Sequence, residues 1–176
     1  VIPYYGYGRQ DRKDQPRVPI SARVMIDLIS SVGVGRILAM DLHSSQIQGF
    51  THIPFDHLYA RQVIFEKLRE FGLSSEATMI LAPDAGRAPM AQSFVKHLCV
   101  GFGLVDKRRT APNQAEVANL IGDLKAKEVI IIDDMIDTAG TTINAANAAM
   151  ENGASSIVAV ATHGLFSGNA AQRITA

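Results

Sequence analysis

The sequence lacks a second cysteine. Cys99 stands alone in 176 residues, so no disulfide can form within the chain, and a reducing, cytoplasmic setting is expected. It lacks an excess of either charge, with 17 Lys+Arg against 17 Asp+Glu, which argues against broad electrostatic binding to nucleic acid. It lacks any apolar run near the ~20 residues of a membrane span. The long uncharged stretch from 152 to 172 is broken by Gly, Ser, Asn and His. No basic segment precedes an apolar core in the manner of a signal peptide, and no repeat of roughly 20–50 residues is visible. The 47% apolar and 19% charged residues that remain describe a globular chain, which excludes a disordered tail, a collagen-like repeat or a disulfide scaffold. A chain of this length can bury about 70% of its unfolded surface, enough for a core. It opens on Val1-Ile2-Pro3-Tyr4-Tyr5 in the manner of a strand already under way, and the expectation is a piece of a larger protein.

Short apolar runs alternate with helical periodicity, which predicts an α/β fold with mostly parallel sheets. Ile20, Val24, Met25, Leu28, Ile29 and Val32 recur at helical spacing, with Gly33 as the stop. Strands are expected at Ile37–Met40, Met79–Ala82, Gly103–Val105, Glu128–Ile132 and Ile157–Ala161. Helices are expected over Leu58–Phe71 before Gly72, Ala88–Leu98, and Thr141–Asn152 before Gly153. Pro54 interrupts the pattern and places a boundary near 54–59, giving an expected division into 1–58 and 59–176. Cys99, at the end of an apolar helix, is expected to be a buried structural thiol. Each strand ends in polar residues. In open parallel sheets ligands bind at the carboxyl ends of the strands, so the site loops should gather there.

The most informative string runs from Ile130 through Asp133, Asp134, Asp137, Thr138, Ala139, Gly140, Thr141 and Thr142. A buried strand leads into two adjacent acids, then a loop of small residues, then the start of a helix. Free N–H groups and the helix dipole favour a phosphate at such a start. Gly140 lets a ligand approach the backbone. The two acids would repel that phosphate and suit sugar hydroxyls or a metal-bound sugar, so a sugar phosphate is the implied ligand.

This string resembles the phosphoribosyl pyrophosphate-binding motif of the type I phosphoribosyltransferase fold. With three further motifs, the resemblance narrows to the ribose-phosphate pyrophosphokinase family and runs along nearly the whole chain. Tyr7-Gly8-Arg9-Gln10-Asp11-Arg12-Lys13-Asp14 resembles that family's ATP segment, Asp41-Leu42-His43-Ser44-Ser45-Gln46-Ile47-Gln48-Gly49-Phe50 its signature, and Asp106-Lys107-Arg108-Arg109 its catalytic flexible loop. Pro83-Asp84-Ala85-Gly86 resembles its ribose 5-phosphate loop.

The resemblance implies two phosphoribosyltransferase-like domains, the first incomplete. It implies magnesium-dependent transfer of pyrophosphate from ATP to ribose 5-phosphate. Arg9, Gln10, Asp11, Lys107 and Arg109 would contact ATP; Lys107, Arg109 and His43 would be catalytic. Asp84, Asp133, Asp134 and Asp137 through Thr142 would bind ribose 5-phosphate, and His43, Asp84 and Asp41 would serve Mg²⁺. It also implies a homo-oligomer, commonly a hexamer, with phosphate or ADP effectors near Arg17 and Ser45. Two other readings stay open. A non-catalytic synthetase-associated subunit is disfavoured by the intact Lys107 and Arg109. A salvage phosphoribosyltransferase leaves the Arg9–Lys13 and Asp41–Phe50 motifs without a role. The clearest departure is Arg87, where the family usually has a second glycine, with a basic residue further on. Arg87 either clashes there or supplies the displaced charge from a new position.

Overall fold

The computed structural model of the protein describes residues 1–108 and 117–175. They form two compact units, Val1–Ala60 and Arg61–Ala176.

The first unit contains helix α1 (Ser21–Ser31) and two parallel strands, β1 (Ile37–Met40) and β2 (Phe55–Leu58), paired from Ile37–Phe55 to Met40–Leu58. Ile2 adds a parallel bridge to Ala39 on β1, its N–H donating to the Leu38 carbonyl at 2.8 Å. Alternate residues of β1, Ile37 and Ala39, are buried with Ala22 and Ile26 of α1 and with Tyr5, Leu42 and Ile47. Gly33 ends α1 in the left-handed region, φ 87°, where a glycine avoids the Cβ clash. Val24 and Leu28 share the helical spacing but stay exposed, since only one face of α1 meets the core.

In the second unit the order of elements is α2 (Arg61–Glu70), β3 (Thr78–Ala82), α3 (Ala88–Leu98), β4 (Gly101–Arg108), β5 (Val117–Ile121), β6 (Glu128–Ile136), α4 (Gly140–Glu151), β7 (Ser156–Gly164) and α5 (Ala170–Thr175). Its five-stranded sheet runs β5-β4-β3-β6-β7. All pairs are parallel except β4–β5, so the expected mostly parallel α/β architecture is present. Strands covered on both faces must be apolar throughout, and β3 is buried at every position. Its side chains alternate between two cores. Ile80 and Ala82, with Ile130 and Ile132 of β6, pack under Phe65, Leu68, Ala91 and Phe94 of α2 and α3. Met79 and Leu81, with Val129 and Ile131, pack against Ala145 and Ala149 of α4.

Several elements differ from expectation. The segment read as the start of a long helix at Leu58 is instead the end of β2, and α2 begins only at Arg61. β5 and α5 are additional, and β6 continues four residues past Ile132 because β7 keeps pairing with it. Cys99 corrects the expectation of a buried thiol. It is the left-handed C-cap of α3, φ 56°, where the chain reverses and the side chain is exposed. No helix among the described residues is long and apolar enough to cross a membrane.

Phe94 is fully buried and meets Phe65 edge to face, ring centroids 4.7 Å apart. Phe94→Ala is expected to destabilise the second unit by about 3–5 kcal/mol through lost burial and a residual cavity. Urea unfolding checks this, and a loss well under ~1 kcal/mol would place the core elsewhere.

Candidate functional site

β6 and β3 pair only as far as Leu81–Ile131 before β3 leaves the sheet. β6 continues beside β7, with Asp133 opposite Ala161 and Met135 opposite His163. Asp133 and Asp134 therefore lie on a strand that has lost its neighbour on the β3 side. That side is taken by the segment after β3. Asp84 is extended, and its carboxylate accepts the Arg87 N–H at 3.1 Å, closing the 3-10 turn Ala85–Arg87. The turn runs directly into α3, with a proline in the helix's first turn where an N–H would go unused.

This geometry decides between the two alternatives for Arg87. It does not clash; its guanidinium lies across both acids, Nε 3.6 Å from Asp133 Oδ1 and Nη1 3.3 Å from Asp134 Oδ2. The side chains are 15%, 10% and 4% exposed for Arg87, Asp133 and Asp134, so the cluster is largely removed from water. The Asp134 N–H also donates to Asp133 Oδ1 at 2.8 Å. Asp133 titrates well above the usual carboxylate range, pushed up to about 7. Burial is the main cause, followed by the hydrogen bond to the Asp134 carboxyl and its charge; Arg87 and the Asp134 amide pull the other way without cancelling these. Spacing had singled out the acids but not their partner, because the pairing spans two strands.

Past the acids, Asp137 and Thr138 form the loop before α4. The Ser167 N–H donates to the Asp137 carbonyl at 3.0 Å, and Arg173 Nη1 donates to the Thr138 carbonyl at 2.9 Å. Ala139 takes a left-handed conformation, φ 61°, and its carbonyl accepts the Ile143 N–H at 2.9 Å to start the helix. No side chain caps this helix start, and a Cβ placed on Gly140 would meet nothing closer than 3.8 Å. Thr141 and Thr142 begin α4, Thr142 buried. The loop thus presents backbone N–H groups to an open space, the geometry that receives an anion.

In the first unit the Arg9 loop and the Asp41 segment are packed together. A Cβ on Gly8 would lie 3.1 Å from the Tyr5 carbonyl and 3.6 Å from the His43 Cβ, so only glycine fits comfortably there. Arg9 is exposed and His43 half-buried. Asp11 follows Gln10 in the same loop. The Gln10 carbonyl accepts the Ala22 N–H at 3.1 Å, tying the loop to α1, and its side-chain amide donates to Asp14 at 3.2 Å. The Tyr5 hydroxyl donates to the Ala22 carbonyl at 2.7 Å, and burial pushes its pKa up to about 12. Asp41 is buried, with φ 38°, and its carboxylate accepts the Ala60 N–H at 3.0 Å. The Leu42 N–H donates to His57 Nε2 at 2.9 Å, and burial lowers the His57 pKa against a smaller opposing pull from Asp41. His57 had no signal in the sequence. Arg17, φ 66°, and Ser45 are exposed in this unit. In the second unit the Lys107 backbone pairs with Ala118, while Arg109 lies outside the described residues.

Among the described residues no three His, Cys, Asp or Glu side chains group to hold a metal ion. Asp84 offers hard oxygen at a strand end. That fits Mg²⁺, which keeps waters and takes substrate phosphates as its remaining ligands.

Residues 1–33 match the N-terminal domain of ribose phosphate pyrophosphokinase, and residues 105–176 match the phosphoribosyl synthetase-associated domain. The ribose-phosphate pyrophosphokinase of Aquifex aeolicus is 48% identical over 175 residues, covering 99% of this chain and 56% of the relative. That of Chlorobaculum tepidum is 49% identical over 174 residues, covering 99% and 54%. The crystal structure of phosphoribosylpyrophosphate synthetase from Mycobacterium smegmatis superposes with a TM-score of 0.90 at 39% identity, over 98% of this chain and 55% of that one. The chain thus spans about half the length of the curated relatives it matches.

The raised Asp133 pKa links stability to pH. The folded protein keeps this proton up to about pH 7, whereas an unfolded aspartate releases it near 3.8. The resulting stabilisation is full below the unfolded value and is lost as pH rises through about 7. Asp133→Asn is expected to remove this slope, leaving the variant close to wild type in mild acid and more stable above neutrality. Urea midpoints measured across that range check the sign, and parallel curves would refute it.

Proposed function

The chain belongs to the ribose-phosphate pyrophosphokinase family, and on that basis we propose that its protein transfers the β,γ-pyrophosphoryl group of ATP to the C1 hydroxyl of ribose 5-phosphate. The observation that carries this reading is the passage from β6 through the buried Asp133–Asp134 pair to the uncapped start of α4. An acid pair and an anion site a few residues apart suit a sugar phosphate, with hydroxyls at one end and a dianion at the other.

In the proposed reaction the oxygen of the C1 hydroxyl attacks the β-phosphorus in line, and its proton is released to water. The bond between the β-phosphorus and the oxygen bridging it to the α-phosphorus breaks, and AMP leaves with that oxygen. Phosphoryl-type transfer of this kind depends on positioning and on charge stabilisation at the nonbridging oxygens. Asp133 and Asp134 accept hydrogen bonds from the ribose hydroxyls and fix the sugar ring. The Asp137–Thr142 segment receives the 5-phosphate through backbone N–H groups and threonine hydroxyls. Arg9, Gln10 and Asp11 contact the nucleotide, and Lys107 and Arg109 neutralise charge developing on the transferred group. Asp84 would hold Mg²⁺, which supplies further neutralisation of the phosphates. The proposal extends to a cytoplasmic homo-oligomer, as a hexamer, responding to phosphate or ADP through the region of Arg17 and Ser45.

The test is AMP release from ATP and Mg²⁺ by the full-length protein, with and without ribose 5-phosphate. Sugar-dependent AMP is expected, and its absence would favour a non-catalytic relative. Lys107→Ala should lower turnover by about 10³-fold or more, the scale of a lost transition-state cation. Ribose 5-phosphate affinity, read by calorimetry, should barely change; a parallel loss of affinity would move Lys107 to the sugar site.

A further inference from the structure

Two adjacent acids, 7% and 3% exposed, cannot both ionise at a dry strand end without a counter-ion. Divalent cations commonly fill that need where carboxylates meet a sugar phosphate. Here the position is taken by the protein's own Arg87, whose fork reaches one oxygen of each acid. The cation is delivered by a fixed element. Asp84 holds the Arg87 N–H at the closing residue of its turn, and α3 starts immediately after, buried through Ala91 and Phe94. One oxygen of each acid is also engaged. Asp133 Oδ1 already accepts the Asp134 amide, and Asp134 Oδ2 faces Arg87. A metal ion at the pair would have to displace a guanidinium that is itself only 15% exposed.

We propose that Arg87 is the built-in counter-ion of the Asp133–Asp134 pair. It positions both carboxylates for sugar hydroxyls and excludes a divalent cation from them, so that this site takes its sugar phosphate without a metal at the acids. The inference rests on the ribose 5-phosphate reading of the site. It concerns only this pair and leaves Mg²⁺ at the ATP phosphates untouched. A second consequence is electrostatic. An acid pair bearing its own cation repels the ligand's phosphate less than a bare pair would.

Two readouts on the full-length protein decide it. The first is ribose 5-phosphate affinity by calorimetry, in EDTA and in Mg²⁺ without nucleotide. Wild type should bind equally in both. Arg87→Gln should lose at least about tenfold in EDTA, the order of effect of leaving buried charge unpaired, and recover part of it with Mg²⁺. The second is the number of Mn²⁺ ions bound, counted by electron paramagnetic resonance without any sugar. Arg87→Gln should bind one more Mn²⁺ than wild type, and that extra ion should vanish in Arg87→Gln/Asp134→Asn. Arg87→Lys, which keeps a cation, should retain the wild-type count. The proposal is overturned if wild-type affinity collapses in EDTA, or if Arg87→Gln gains no Mn²⁺. Should wild type bind no ribose 5-phosphate under either condition, the functional reading falls, while the Mn²⁺ count still decides the role of Arg87.

Discussion

The arrangement of the second unit turns on one mismatch of strand lengths. β3 stops at Ala82, whereas β6 runs on to Ile136 alongside β7. A strand held on both sides can be wholly apolar, but the part that outruns one neighbour has open backbone and space beside it. Asp133 and Asp134 occupy that overhang. The turn that carries the chain away from β3 fills the vacated side, which is why Asp84 and Arg87 arrive there. The helix that follows β6 then starts at the same edge. Acid pair, cation and helix N-terminus meet because one strand is longer than the next.

The cost of that overhang is carried elsewhere. Buried ion clusters contribute little net stability, since desolvation offsets most of the attraction, and the left-handed Ala139 adds backbone strain. The compensation is the alternation of β3 and β6, which sends Ile80, Ala82, Ile130 and Ile132 to one helical layer and Met79, Leu81, Val129 and Ile131 to the other. Two dry cores of this kind hold a strained and partly protonated site in place.

Much of this was legible in the sequence, and the pattern of what was not is physical. β1, β3 and α3 match their expected bounds within a residue, because continuous apolar runs and a clean 3.6-residue period are local signals. β5 and β2 were not legible. β5 is an antiparallel edge strand whose formation depends on β4, and β2 is a short strand recruited by β1. The acid pair and the helix start were legible since they are contiguous in the chain. Arg87 as their partner was not, as it sits more than forty residues earlier and its role exists only once β3 and β6 pair. Cys99 was misread because apolar neighbours imply burial in a helix, but not at the residue that ends one in a left-handed turn.

That last position has a use. Arg87 immediately precedes α3, and Cys99 closes it, the chain's one thiol and a solvent-facing one. The helix between them has 11 residues, a rod about 16 Å long. A spin label or fluorophore coupled at Cys99 therefore rides on the same rigid lever as the cation at the acids, at a distance from the ligand itself. A label there follows the arginine that engages Asp133 and Asp134 without altering a residue of that lever.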